Sequence, residues 1–229
     1  MFLKNSRDVS SPAWCAYHNI VYKSKENSLE LLKLEMPSCF EEDSFVVVDL
    51  EATSSDAATA EIIEIGVVTL DAHGHIEEQH TQLVEPSTNF LDNVHGLRLH
   101  DTKGSPKFSD CAEWLYFMLK GRVLVAHEAR FEISLLQKSF AKVGIDYVPN
   151  TILCTRENLH YLDIRSGVSL EKVCARLGIS HENSHTALGD ATATAELLKV
   201  YLQTSRFEGR LIMLPHAGCT RKLLVSSYH

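Results

Sequence analysis

The order in which the hydrophobic periodicities follow one another constrains this chain most. FVVVDLEA over 45–52, EIIEIGVVTLD over 61–71 and HIEEQHTQLVEP over 75–86 carry strand patterns. The second and third are joined by the turn Asp71–Ala72–His73–Gly74, a hairpin signal, so these three strands are expected to pair antiparallel. A helix is then expected near 105–120, stopped by Gly121, before the short strand VLVA over 123–126. A helix over 128–142 ends before Gly144, TILCT over 151–155 is a fifth candidate strand, and helices follow near 168–177 and 187–203. An antiparallel meander that feeds β-α-β units predicts an α/β domain with a five-stranded mixed sheet and helices on its faces.

That domain occupies 44–203. Residues 1–43 read as an N-terminal extension with one short helix in SKENSLELLKLEM, where Leu29, Leu32 and Met36 fall at i, i+3 and i+7. Residues 204–229 read as a basic tail, with Arg206, Arg210, Arg221 and Lys222 against the single acid Glu208. Hydrophobic residues at 45% and charged residues at 23% support a sizeable core and exclude global disorder. The closest cysteines, Cys154 and Cys174, stand 20 positions apart, so no CxxC zinc ribbon or redox motif is present. The opening MFLKNSRDVS lacks a signal-peptide core, and no apolar run reaches the roughly 18 residues of a membrane span. A soluble, cytoplasmic protein without a membrane partner is expected. The net charge of −8 excludes a strong basic field of the kind that grips long nucleic acid. A polyanionic ligand would have to be held weakly by its end, or through bound cations and a local cluster.

The acids within the domain are unusual in their placement. Strand alternation puts Phe45, Val47, Asp49 and Glu51 on one face, which turns from apolar to doubly acidic as the strand ends. Two carboxylates so placed repel one another unless a cation joins them; a solvated strand end is the plainer alternative. Glu132 shares a helix row with Leu136 and Phe140, so it either heads for something charged or simply favours the helix N-terminus. Glu128, one turn earlier, shares that face. His185 and Asp190 are separated by about 500° of helical rotation, which places the histidine on the loop HENSH and the acid on the helix that follows. A loop histidine facing a helix-anchored acid suits a general base beside a metal site, although a surface histidine needs no such role.

The ordered segments DLEAT…EIIEIG, HGL, VAHEARFE, CT and HTALGDATATAELL resemble the DEDDh family of 3′–5′ exonucleases, which includes the proofreading subunits of bacterial replicative polymerases. The resemblance spans roughly 44–203 and implies a ribonuclease-H-like fold, a five-stranded mixed sheet flanked by helices. It implies that Asp49, Glu51 and Asp190 hold two Mg²⁺ or Mn²⁺ ions and that His185 is the general base. Glu132, whose helix row points it toward that site and which stands where the family has an Asp, is expected to be the fourth metal acid. It also implies that Ala52, Thr53, His95, Leu97, His127 and Phe131 lie where such enzymes contact the terminal nucleotide. Two features depart from the family pattern. His127–Glu128 and Phe131–Glu132 replace the usual His-Asn and Phe-Asp pairs, and Ser54–Ser55 replace Gly-Leu after Thr53. The first departure adds one methylene at a metal position, where two-metal hydrolysis needs ions about 3.5–4 Å apart.

The activity so implied is hydrolysis of single-stranded DNA ends to nucleoside 5′-monophosphates. An exoribonuclease acting on RNA 3′ ends or short oligoribonucleotides is the alternative within the family. A nucleic-acid-binding or scaffold protein with a weakened metal site is the alternative outside enzymes. Either terminal extension offers a place for a polymerase or another protein partner to dock.

Overall fold

A computed structural model describes residues 44–88, 99–149, 151–165, 167–181 and 183–204, with the backbone of 211–212 and 222–223. The helix expected within 24–36 and the HGL loop at 95–97 lie outside these residues. The chain divides into Met1–Glu41 and Glu42–His229, and the second unit carries the fold described below.

Five strands, β1 (Phe45–Ala52), β2 (Ile62–Leu70), β3 (Ile76–Leu83), β4 (Val123–Ala126) and β5 (Thr151–Cys154), form one sheet in the order β3-β2-β1-β4-β5. The first three pair antiparallel, whereas β1–β4 and β4–β5 are parallel. The mixed sheet expected from the strand order is therefore present. Helices α1 (Phe108–Leu119), α2 (Ala129–Lys142), α3 (Thr155–Asn158), α4 (Leu170–Leu177) and α5 (Ala187–Gln203) complete the domain. Pro106 delays α1, which starts once the carboxylate of Asp110 accepts the Lys107 N–H at 2.9 Å. A short antiparallel pair in the tail, β6 (Leu211–Ile212) and β7 (Lys222–Leu223), was not foreseen, because two-residue strands carry no readable period.

β1 and β2 explain why their sequences run as nearly continuous hydrophobics: both faces are covered. Val46, Val48 and Leu50 join Leu115, Leu135, Leu136 and Phe140 of α1 and α2 in one core. Phe45, Val47, Val68 and Leu70 meet Ala191, Ala195 and Leu198 of α5 in another. Each fully buried aliphatic side chain contributes about 1.5–3 kcal/mol relative to exposure, so this two-sided burial fixes the register of the central strands. Small residues on α5 allow close approach to the sheet. Among the described residues no helix is long and apolar enough to cross a membrane.

Candidate active site

The site forms where β1 emerges beneath the first turn of α5. Since Phe45 and Val47 face α5, strand alternation brings Asp49 and Glu51 to the same side. The register sets Asp49 opposite Gly66 and Glu51 opposite Glu64. A Cβ on Gly66 would lie 2.2 Å from the carbonyl carbon and oxygen of Ala187, so only glycine lets α5 begin there. Asp190 follows in the first turn of α5. Asp49, Glu51 and Asp190 then each offer a carboxylate oxygen, all within 4.8 Å of one another.

Glu64 fixes this approach. Its Oε2 accepts the Ala187 N–H at 3.0 Å, satisfying a donor at the start of α5, while Oε1 accepts the Thr81 hydroxyl at 3.1 Å. Sequence reading did not single out this residue. The sequence shows only an acid inside the largely apolar run IIEIGVVTL, which marks it as unusual without naming its partner.

Burial and crowding of like charge raise the proton affinity of Asp49 and Glu132. Asp49 is held well above the usual carboxylate range, first by burial and then by Glu132, Asp190, Glu51 and Glu64. Glu132 is pushed up to about 8, first by burial and then by Glu128 and Glu51, against a backbone hydrogen bond that lowers it. It is only 5% exposed, and its Oε2 lacks a hydrogen-bond partner. Glu132 stands outside the three acids whose oxygens lie within 4.8 Å of one another, but its charge bears on Asp49 and it feels Glu51 and Glu128. A buried, unpartnered carboxylate oxygen so placed is costly in a protein unless a cation compensates it. Oxygen donors of this kind fit a hard divalent ion. Glu128, by contrast, is exposed and pairs with Arg156 at 2.7 Å.

The histidine loop takes the form that helical rotation required. His185 lies on a turn before α5, with its side chain exposed and φ at +65°, a strained region for a non-glycine residue. Its backbone N–H donates to Asp190 Oδ1 at 3.3 Å. Thr186 caps α5, accepting the Gly189 N–H at 3.1 Å and donating to Asn183 O at 2.8 Å. A second histidine, His181, was missed: its Nε2 is 2.5 Å from Asp190 Oδ1.

The residues assigned by resemblance to nucleotide contact are placed as follows. Ala52 is buried in the core shared with α1 and α2. Thr53 is also buried and closes the following loop, its N–H donating to Glu61 O and its hydroxyl accepting the Glu61 N–H, both at 2.9 Å. His127 is buried and uses both ring nitrogens, Nδ1 with the Thr155 hydroxyl at 2.9 Å and Nε2 with Val168 O at 3.1 Å. Burial pushes its pKa down to about 4, so the ring is neutral; Nε2–H donates to the carbonyl and Nδ1 accepts from Thr155. Phe131 packs half-buried against the α1–α2 core. In the loop after Thr53, where Ser54–Ser55 depart from the family pattern, the Lys138 ammonium of α2 donates to the carbonyls of Ala57 at 2.7 Å, Ala58 at 3.1 Å and Ala60.

Fold and acidic centre together define an exonuclease of the DEDD superfamily, and the exonuclease family model RNase_T matches residues 46–198. The chain belongs to that family. It is 32% identical over 163 residues to DNA polymerase III PolC-type from Clostridium perfringens, covering 69% of this chain and 11% of the relative. It is 31% identical over 160 residues to 3′-5′ exonuclease DinG from Staphylococcus haemolyticus, covering 68% of this chain and 18% of the relative. The chain therefore spans under a fifth of the length of these relatives. Among solved structures, E. coli exonuclease I in complex with a dA16 oligonucleotide superposes with a TM-score of 0.63 at 15% identity, over 72% of this chain and 42% of that one. A 3′-exonuclease described for 3′-end-specific recognition of a histone mRNA stem-loop superposes with a TM-score of 0.65 at 19% identity, over 82% of this chain and 93% of that one. These likenesses establish the ribonuclease-H-like fold.

Proposed function

We propose that this chain is a 3′–5′ exonuclease that hydrolyses single-stranded DNA ends to nucleoside 5′-monophosphates. The observation that carries the reading is the convergence of Asp49, Glu51 and Asp190, with oxygens within 4.8 Å of one another, beside the buried, unpartnered Oε2 of Glu132. These four acids would hold two Mg²⁺ or Mn²⁺ ions. When bound, the ions would offset phosphate charge, activate the attacking water and stabilise the leaving 3′ oxygen.

The chain's own groups supply the remainder. His185, exposed at the edge of the cluster, takes the proton of the attacking water. The backbone bond from His185 to Asp190 ties the turn that carries the base to one of the acids. Neutral His127, just past β4, braces the end of that strand against the segment at Val168. The charge of −8 leaves attraction for the polyanion to the bound cations, which favours capture of ends one at a time over processive tracking. DNA is preferred over RNA as substrate because the sequence relatives at about 30% identity are a DNA polymerase and a 3′-5′ exonuclease bearing this domain.

The test is a labelled-end assay on matched DNA and RNA oligomers with Mg²⁺ or Mn²⁺. Release of 5′-mononucleotides from DNA 3′ ends, abolished by Asp49→Ala, is the expected result. Equal release by the Asp49→Ala protein would overturn the assignment, and faster release from RNA would move the substrate to the exoribonuclease reading.

A further inference from the structure

His181 has no place in the roles assigned so far, yet its ring is built into the acidic centre. Helix α4 ends at Gly178, which adopts the left-handed conformation with φ at +70°. The Ile179 N–H then donates to Cys174 O at 3.0 Å, the bond that closes such a helix end. This cap sends the chain back toward α5, and His181 arrives three residues later with its side chain 10% exposed. Its Nε2 meets Asp190 Oδ1 at 2.5 Å, while its Nδ1 is buried without a partner. A bare nitrogen lone pair is better tolerated there than an unsatisfied N–H, so the tautomer that fits carries its proton on Nε2 and donates it to Asp190.

Asp190 Oδ1 therefore receives two donors, the His181 ring and the His185 backbone N–H. A carboxylate on a helix can turn about its side-chain torsions, and a metal centre works only if its ligands are held in one orientation. Resting on the metal-centre reading above, we infer that His181 is a positioning residue that anchors Asp190 through Oδ1 and so commits its other oxygen to the cation shared with Asp49 and Glu51. The two histidines of HENSH then divide the labour. The buried His181 orients the ligand, and the exposed His185 faces the reacting water.

Manganese binding tests this directly. Titration of the full chain with Mn²⁺, followed by electron paramagnetic resonance of the free ion, reads site affinity without any catalysis. In His181→Ala at least one Mn²⁺ site is expected to weaken by about tenfold or more, the scale reported for outer partners of metal ligands. His181→Gln, whose amide N–H reaches the position of Nε2, is expected to recover most of that loss. Thermal melts with and without Mn²⁺ accompany each titration, and if His181→Ala fails to fold, the comparison of His181→Gln with His181→Leu decides. Wild-type affinity in a folded His181→Ala or His181→Leu protein would overturn the inference while leaving the metal reading intact. Absence of Mn²⁺ binding by the wild-type chain would overturn both. Loss of affinity in His181→Ala that His181→Gln does not recover at all would also overturn it, since bulk rather than the hydrogen bond would then be the cause.

Discussion

Gly66 lies directly beneath Ala187: a Cβ on the glycine would stand 2.2 Å from the carbonyl carbon and oxygen of the alanine. Gly66 is also the cross-strand partner of Asp49, so this close approach of α5 to the sheet occurs beside the first acid of the cluster. The missing side chain is what allows Asp190 to reach Asp49.

Gly66→Ala is accordingly expected to damage structure and site together. Backbone atoms cannot yield as a flexible side chain does, so the overpacking penalty should reach or exceed about 3 kcal/mol. For a chain of this size that is a fall in Tm of about 6–12 °C. The folded fraction should bind Mn²⁺ more weakly, because α5 must shift. A wild-type melt together with wild-type Mn²⁺ affinity would refute this account of the close packing.

Lys138 ties α2, the helix that carries Glu132, to the loop that follows Thr53. Its ammonium is donated to three backbone carbonyls, of Ala57, Ala58 and Ala60. Lys138→Met keeps the aliphatic stem and removes the charge, and is expected to cost about 2 kcal/mol, the range for hydrogen bonds from charged groups. The corresponding change is about 4–8 °C in Tm. Faster amide hydrogen exchange confined to residues 54–60 would locate the loss in the loop, and unchanged exchange there would argue against the tether.

Glu132 separates a true ligand from an acid that merely sits at a helix start. Its buried, unpartnered Oε2 predicts that Glu132→Ala lowers kcat by about 100-fold or more, the scale for removing a preorganised charged group from a site. Glu132→Asp, one methylene shorter, should retain most of the rate if the helix can approach slightly. Kinetics of the two variants at saturating Mn²⁺ decide the matter. Equal, near-wild-type rates for both would remove Glu132 from the metal centre.

Much of this was legible in the sequence because the relevant periods are short. Period-two alternation along FVVVDLEA put Asp49 and Glu51 on one face, and helical rotation forced His185 off the helix that bears Asp190. The contributions of Glu64 and His181 were not legible, for a shared reason. Glu64 acts on Ala187, 123 positions away, and His181 reaches Asp190 only after the turn at Gly178 and the start of α5 are both in place. No local period encodes either contact. His127 shows the converse: its motif marked it for the nucleotide, whereas the fold employs both its nitrogens internally.

The pH dependence of the metal-free protein follows from the same crowding. Glu132 has a folded pKa of about 8 against an ordinary 4.5, so between these values the folded state holds more protons than the unfolded one. Stability is then fully supported below the lower value and declines as pH rises through the upper one. Asp49, raised for the same reason, acts in the same direction. His127 acts oppositely: its pKa falls from 6.5 to about 4, so it adds stability as pH rises across that interval and nothing above it. Between about pH 6.5 and 8 the carboxylate effect is thus not opposed by His127. In EDTA, the urea midpoint of the wild type should fall across that window, and Glu132→Gln should flatten the fall. Saturating Mg²⁺ should reverse its sign, because the ions bind the deprotonated cluster and stabilise the fold that presents it. A midpoint in EDTA that rises from pH 6.5 to 8 would mean that the acids are compensated without a cation, and the four-carboxylate centre would lose its physical rationale.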